Sequence, residues 1–156
     1  MAAPNRHMEL RPLGLDDIAT VVEIEKEAYP DPWTKGMFVQ EVHSDQSCFY
    51  TAYVDNELVG YGGFWLVTEE AHITSVTICR EYRGQGLGRL LVETLLDTAA
   101  AHGAVRALLE VRESNQVARQ LYETTGFKQV GMRRNYYTKS REHAIVMVRP
   151  LGPREA

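Results

Sequence analysis

The chain has 156 residues, 44% of them hydrophobic and 24% charged, with a formal net charge of −4. That length fits a single domain over residues 1–156, with an ordered core at about 8–150, because compact domains cluster at roughly 100–150 residues. The apolar content excludes a disordered chain, no apolar run reaches the roughly 18 residues that a membrane span needs, and the small acidic surplus speaks against nucleic acid as a direct partner.

Residues 8–13 read as a strand. A helix is expected over 15–28, with Gly14 as N-cap, Asp16 and Asp17 in its positively polarised first turn, and Ile18, Val21, Val22 and Ala28 as an apolar stripe. After the break Pro30-Asp31-Pro32-Trp33, Thr34 is placed to cap a second helix that runs to about His43. Strand-like runs follow at 47–54, 58–67 and 72–78, with Asp55-Asn56 turning the first hairpin and Glu69-Glu70 the second. The helix signal is strongest over 86–102, where Leu87, Leu91 and Leu95 stack at i, i+4, i+8 before Gly103. A short apolar strand at 107–111 leads to a helix over 115–125, closed by Gly126, and strands at 128–135 and 144–150 end the series. The order β-α-α-β-β-β-α-β-α-β-β implies an α/β protein with a mixed sheet and helices on its faces.

The segment Arg83-Gly84-Gln85-Gly86-Leu87-Gly88-Arg89 sits between a strand and the start of the longest helix. Alternating glycines let a ligand approach the backbone, and the first amides of a helix lack intrahelical partners at the positive end of its dipole. A pyrophosphate suits that place, with Arg83 or Arg89 adding charge. A glycine-rich turn without a ligand is the plain alternative. A dinucleotide fingerprint would need a third glycine where Arg89 stands and no gap after the strand, so a nicotinamide cofactor is disfavoured despite Glu110 further on. No G-K-[ST] follows, which excludes a P-loop.

The pattern Arg83-x-x-Gly86-x-Gly88 resembles the acetyl-CoA signature of the GNAT N-acetyltransferases, and the element order is similar to theirs over nearly the whole chain. Within that family the stretches Ala28-Tyr29-Pro30-Asp31-Pro32-Trp33, Leu109-Glu110-Val111-Arg112-Glu113-Ser114-Asn115 and Arg133-Arg134-Asn135-Tyr136-Tyr137 most resemble the ribosomal-protein-alanine N-acetyltransferases, the RimI branch. The resemblance implies the GNAT acyl-CoA N-acyltransferase fold: a central, mostly antiparallel sheet flanked by about four helices. It implies acetyl-CoA as co-substrate, its pyrophosphate on the amides of Gly84, Gln85, Gly86, Leu87, Gly88 and Arg89, and its pantetheine arm along Val76, Thr77 and Ile78. For those three residues an ordinary buried strand is the bland alternative. Asn115 matches a cofactor-contacting position and is also suited to an N-cap.

Transfer of acetyl from a thioester to an amine needs a neutral amine, a held oxyanion and a protonated leaving thiolate. An α-amine, with pKa near 7.7–8.0, is already neutral in roughly a tenth to a fifth of molecules at pH 7, against about one lysine side chain in 2,500. A carboxylate base therefore suffices for a protein N-terminus, and the resemblance implies Glu110 as that base and Tyr122 as the acid toward the CoA sulfur. A solvated strand-end glutamate and a core tyrosine beside Ala118, Leu121 and Thr125 are their structural alternatives. The oxyanion falls to a backbone N–H at Ile78. Aromatics at Tyr29, Trp33, Tyr136 and Tyr137 are expected to flank the incoming peptide.

Thr138 and His143 depart from the branch's usual proline and acidic residue, which leaves the peptide preference open. The implied partner is a protein N-terminus, of a ribosomal protein by the same resemblance, in a monomer or weak dimer. Lysine or small-amine acetylation and non-catalytic acyl-CoA sensing are the alternatives. The five histidines lack metal spacing, so no metal is expected. Two cysteines, Cys48 and Cys79, and no apolar leader in residues 1–13 fit a cytoplasmic protein.

Overall fold

The structure is a computed structural model and describes residues 6–137 and 141–151. Strand β1, Glu9–Pro12, leads into a short 3-10 turn at Leu15–Asp17 and then helix α1, Ile18–Ala28. The continuous helix expected from residue 15 is thus split. Asp17 folds its carboxylate back onto the Gly14 N–H at 2.8 Å, and its own N–H reaches the Gly14 carbonyl at 3.0 Å, closing a tighter turn first. The hydroxyl of Thr34 accepts the Met37 N–H at 3.3 Å and starts α2, Lys35–His43.

Strands β2, Ser47–Val54, and β3, Glu57–Val67, form the expected hairpin, with Asp55 and Asn56 both at positive φ (52° and 66°). The next turn comes one residue earlier than the glutamate pair suggests: Thr68 takes φ 58°, and Glu70 already opens β4, Glu70–Ile78. Helix α3, Leu87–Ala101, strand β5, Arg106–Arg112, helix α4, Gln116–Thr124, and strands β6, Lys128–Tyr137, and β7, Glu142–Pro150, complete the chain.

All seven strands join one sheet in the order β1-β2-β3-β4-β5-β7-β6. Every neighbouring pair is antiparallel except β4 and β5, which run parallel with α3 as their crossover. The sheet is covered on both faces. On one, Leu87, Leu91, Leu95 and Ala99 of α3 pack onto Phe64, Ile73, Leu109 and Met147. On the other, Val21 of α1 and Phe38 of α2 meet Phe49 and Tyr61. Burying a large apolar side chain is worth about 1.5–3 kcal/mol, so these two layers hold the sheet between them. Among the described residues no helix is long and apolar enough to cross a membrane, and Cys48 and Cys79 are free thiols.

Candidate active site

The site originates in a defect of the sheet. Strands β4 and β5 pair only over Glu70–His72 and Arg106–Leu108, the last matched pair being His72 with Leu108. Immediately beyond, Ser75 pairs with Gly63 and Ile73 with Phe64, leaving Thr74 as a bulge that turns β4 aside. A cleft of about 240 Å³ opens where the strands part.

Beyond His72, β4 stays paired with β3 but has no strand partner on its β5 side, and Val76 lines the opening. The Val76 carbonyl accepts the Tyr29 hydroxyl at 3.2 Å and the Ile78 carbonyl accepts Arg83 Nε at 3.1 Å. The N–H of Cys79, by contrast, bonds the Val59 carbonyl of β3 at 2.8 Å. A carbonyl has two lone pairs, so an extended ligand can still be received along this edge. Thr77 is buried, its hydroxyl 2.7 Å from that of Tyr29.

At the end of β4 the glycine loop enters α3. Gly84 and Gly86 both adopt φ 79°, with open space where a side chain would start. Conformation rather than crowding calls for glycine at both positions. Among the described residues no side chain caps the first turn of α3, so its amides and the positive end of a 15-residue helix are available to an anion. Leu87 is buried in the core, so only its main chain can serve there. Arg89 pairs with Glu93 at 3.3 Å, and Gln85 accepts from Arg6 at 3.2 Å.

Glu110 projects from β5 into the cleft, its side chain only 6% exposed. Its Oε1 is 2.6 Å from His72 Nε2. Its Oε2 is buried without a hydrogen-bond partner among the described residues, with Arg133 Nη2 3.7 Å away. Burial pushes the carboxyl up, but the His72 bond, the His72 charge and Arg133 outweigh it and hold Glu110 below the usual carboxylate range. A buried acceptor oxygen without a donor is expensive, which makes Oε2 a receptor for an incoming N–H.

Tyr122 of α4 lines the same cleft, its ring edge-on to Phe127 at 5.8 Å. Burial first, then the nearby Tyr29 and Tyr137, push the phenol well above its usual range, so it stays protonated. Asn115 also borders the cleft and caps α4 through an Ala118 N–H at 3.1 Å. Tyr29, Trp33 and Tyr137 line the opening, whereas Tyr136 stands outside it, exposed and edge-on to Tyr137 at 5.1 Å. Thr138 lies outside the described residues. His143 Nδ1 accepts the Asn135 N–H at 3.0 Å. Burial, the main influence on Cys79, raises its thiol, so it is not an activated nucleophile.

Four residues of this region carry no role in the sequence reading. Glu25 occupies the apolar stripe of α1 where Ile18 and Val21 suggest another hydrophobe, and is buried. It accepts the Tyr61 hydroxyl at 2.7 Å and the Trp33 N–H at 3.0 Å. Asp31 and Arg112 form an ion pair at 2.9 Å across the mouth, and His72 holds Glu110. An acidic residue at a stripe position is the one signal that marks Glu25 in the sequence; the other contacts depend on which strands become neighbours. Among the described residues no group of three or more His, Cys, Asp or Glu could hold a metal ion.

Comparison with known proteins adds a second line of observation. The sequence model of the acetyltransferase (GNAT) family matches residues 18–127. A putative [ribosomal protein bS18]-alanine N-acetyltransferase of Bacillus subtilis (strain 168) is 40% identical over 139 residues, spanning 88% of this chain and 92% of that protein. The crystal structure of the ribosomal-protein-S18-alanine N-acetyltransferase from Escherichia coli superposes with a TM-score of 0.85 at 30% identity, covering 96% of this chain and 97% of that one. The PaiA N-acetyltransferase from Thermoplasma acidophilum, solved in complex with coenzyme A, shares the fold at a TM-score of 0.73 and 19% identity, over 92% and 99% of the two chains.

Proposed function

The chain belongs to the acetyltransferase (GNAT) family, and we propose that it transfers acetyl from acetyl-CoA to the α-amine of a protein N-terminus. The N-terminal alanine of ribosomal protein bS18, the acceptor in the names of the Bacillus and Escherichia relatives, is the acceptor we assign. The observation that carries this reading is the unpartnered Glu110 Oε2 in a cleft that Tyr122 also lines.

The residues present suit acetyl-CoA. The uncapped first turn of α3 behind Gly84 and Gly86 is where a diphosphate would rest, and the open edge at Val76, Thr77 and Ile78 is where the pantetheine amides would find backbone partners. When bound, this co-substrate supplies an activated acetyl carbonyl and a thiolate leaving group.

Glu110 receives the amine through Oε2. As the nitrogen attacks it gains positive charge and its proton becomes acidic, so an ionised carboxylate of low basicity suffices to take that proton. A main-chain N–H of the β4 edge, at Ile78, steadies the oxyanion. Tyr122, protonated at every working pH, gives its proton to the departing sulfur. Tyr29, Trp33 and Tyr137 wall the side by which a peptide would enter, with Tyr136 packed against Tyr137.

The test is a panel of peptides differing in their first two residues, incubated with purified protein and acetyl-CoA and read by mass spectrometry. Acetylation of the α-amine, strongest with alanine first, is expected. Acetylation confined to lysine side chains, or none while CoA still binds, would overturn the assignment.

A further inference from the structure

Resting on Glu110 as the base, we propose that His72 is the positioning residue of that base: its imidazole, donating from Nε2 to Glu110 Oε1, aims Oε2 at the substrate amine. The terminal torsion of a glutamate is broad and nearly two-fold, so the side chain alone does not fix which oxygen faces the cleft. One bond of 2.6 Å engages Oε1 and leaves Oε2 for the ligand. The other basic side chain in reach, Arg133, lies 3.7 Å from Oε2 and is 56% exposed, too loosely placed to set the orientation and drawn toward the oxygen that must stay free.

The backbone explains why position 72 can do this. His72 is the last β4 residue paired with β5, and Glu110 stands two residues beyond its partner Leu108, just past the parting of the strands. His72 is therefore held by the regular sheet while its ring reaches Glu110, which lines the cleft. Its 38% exposure keeps it out of the core, so substituting it need not unfold the protein.

The experiment is a double-mutant cycle with His72→Ala, His72→Gln, Glu110→Gln and the His72→Ala/Glu110→Gln pair, measuring kcat, KM for both substrates and thermal melting. His72→Ala should lower kcat about 10- to 100-fold, the scale of a misaligned reacting group, with both KM values within about two-fold of wild type. His72→Gln, whose amide can still donate to Oε1, should recover most of that loss. In the Glu110→Gln background His72→Ala should add nothing. A His72→Ala enzyme with wild-type kcat, or one whose loss persists undiminished without Glu110, would overturn the proposal. Full activity in Glu110→Gln would instead overturn the base assignment on which it rests.

Discussion

Arg112 Nη2 lies 2.9 Å from Asp31 Oδ2, joining the end of β5 to the loop after α1 across the mouth of the cleft. The same guanidinium reaches Glu142 at 3.5 Å and stacks over the Tyr137 ring at 4.1 Å. One half-buried cation thus ties together the loop after α1, the end of β6 and the start of β7. Arg112→Ala is expected to raise the peptide KM about 10-fold and destabilise the fold by about 1 kcal/mol, leaving CoA affinity unchanged. Steady-state kinetics with CoA calorimetry checks this; an unchanged peptide KM would remove Arg112 from the entrance.

Tyr122→Phe should separate packing from proton donation. The ring contact with Phe127 survives the substitution, so melting should shift by less than about 0.5 kcal/mol while kcat falls by about 10²-fold. The kcat loss should shrink with a thioester whose thiol is more acidic, because such a leaving group needs no donor. Equal losses with both thioesters would assign Tyr122 a packing role.

Gly86→Ala probes the phosphate turn. The left-handed φ of 79° strains any side chain by about 1 kcal/mol even though the space beside it is open. CoA affinity should therefore fall with little change in the peptide KM. Calorimetry showing wild-type CoA binding would place the diphosphate elsewhere.

Glu25 gives a pH dependence of stability with a definite sign. Burial, the dominant influence, raises its carboxyl above the usual range despite the Trp33 and Tyr61 bonds. A raised folded-state pKa contributes stability that is present below the unfolded value and declines as pH climbs through the folded one. Glu25→Gln keeps an acceptor for Tyr61 and removes the buried charge, so its melting curve should lose part of the wild type's decline as pH rises above the ordinary carboxylate range. Parallel curves for the two proteins would contradict this.

Much of the architecture is legible in the chain because its signals are local. The Leu87-Leu91-Leu95 stripe marks α3, Asp55-Asn56 marks the β2–β3 turn and the alternating glycines mark the start of α3. What the sequence hides is set by strand adjacency. Glu110 and Tyr122 stand out by resemblance, but nothing in linear order announces that β4 leaves β5 after His72, and hence that His72 sits against Glu110. Asp31 and Arg112 meet across 81 positions for the same reason. Glu25 is missed because periodicity assigns its face to the core, and the edge-on contact of Tyr136 with Tyr137 follows a break in the β6 register at Asn135, φ 51°, that linear order does not announce.

A crystal structure with a conjugate joining CoA to the α-nitrogen of an alanine-first peptide tests the central claim most directly. The diphosphate should lie on the main-chain amides of residues 84–89, the linking nitrogen within hydrogen-bond reach of Glu110 Oε2, and the sulfur beside the Tyr122 hydroxyl. A conjugate seated away from the parting of β4 and β5, or one whose nitrogen faces neither oxygen of Glu110, would contradict the account.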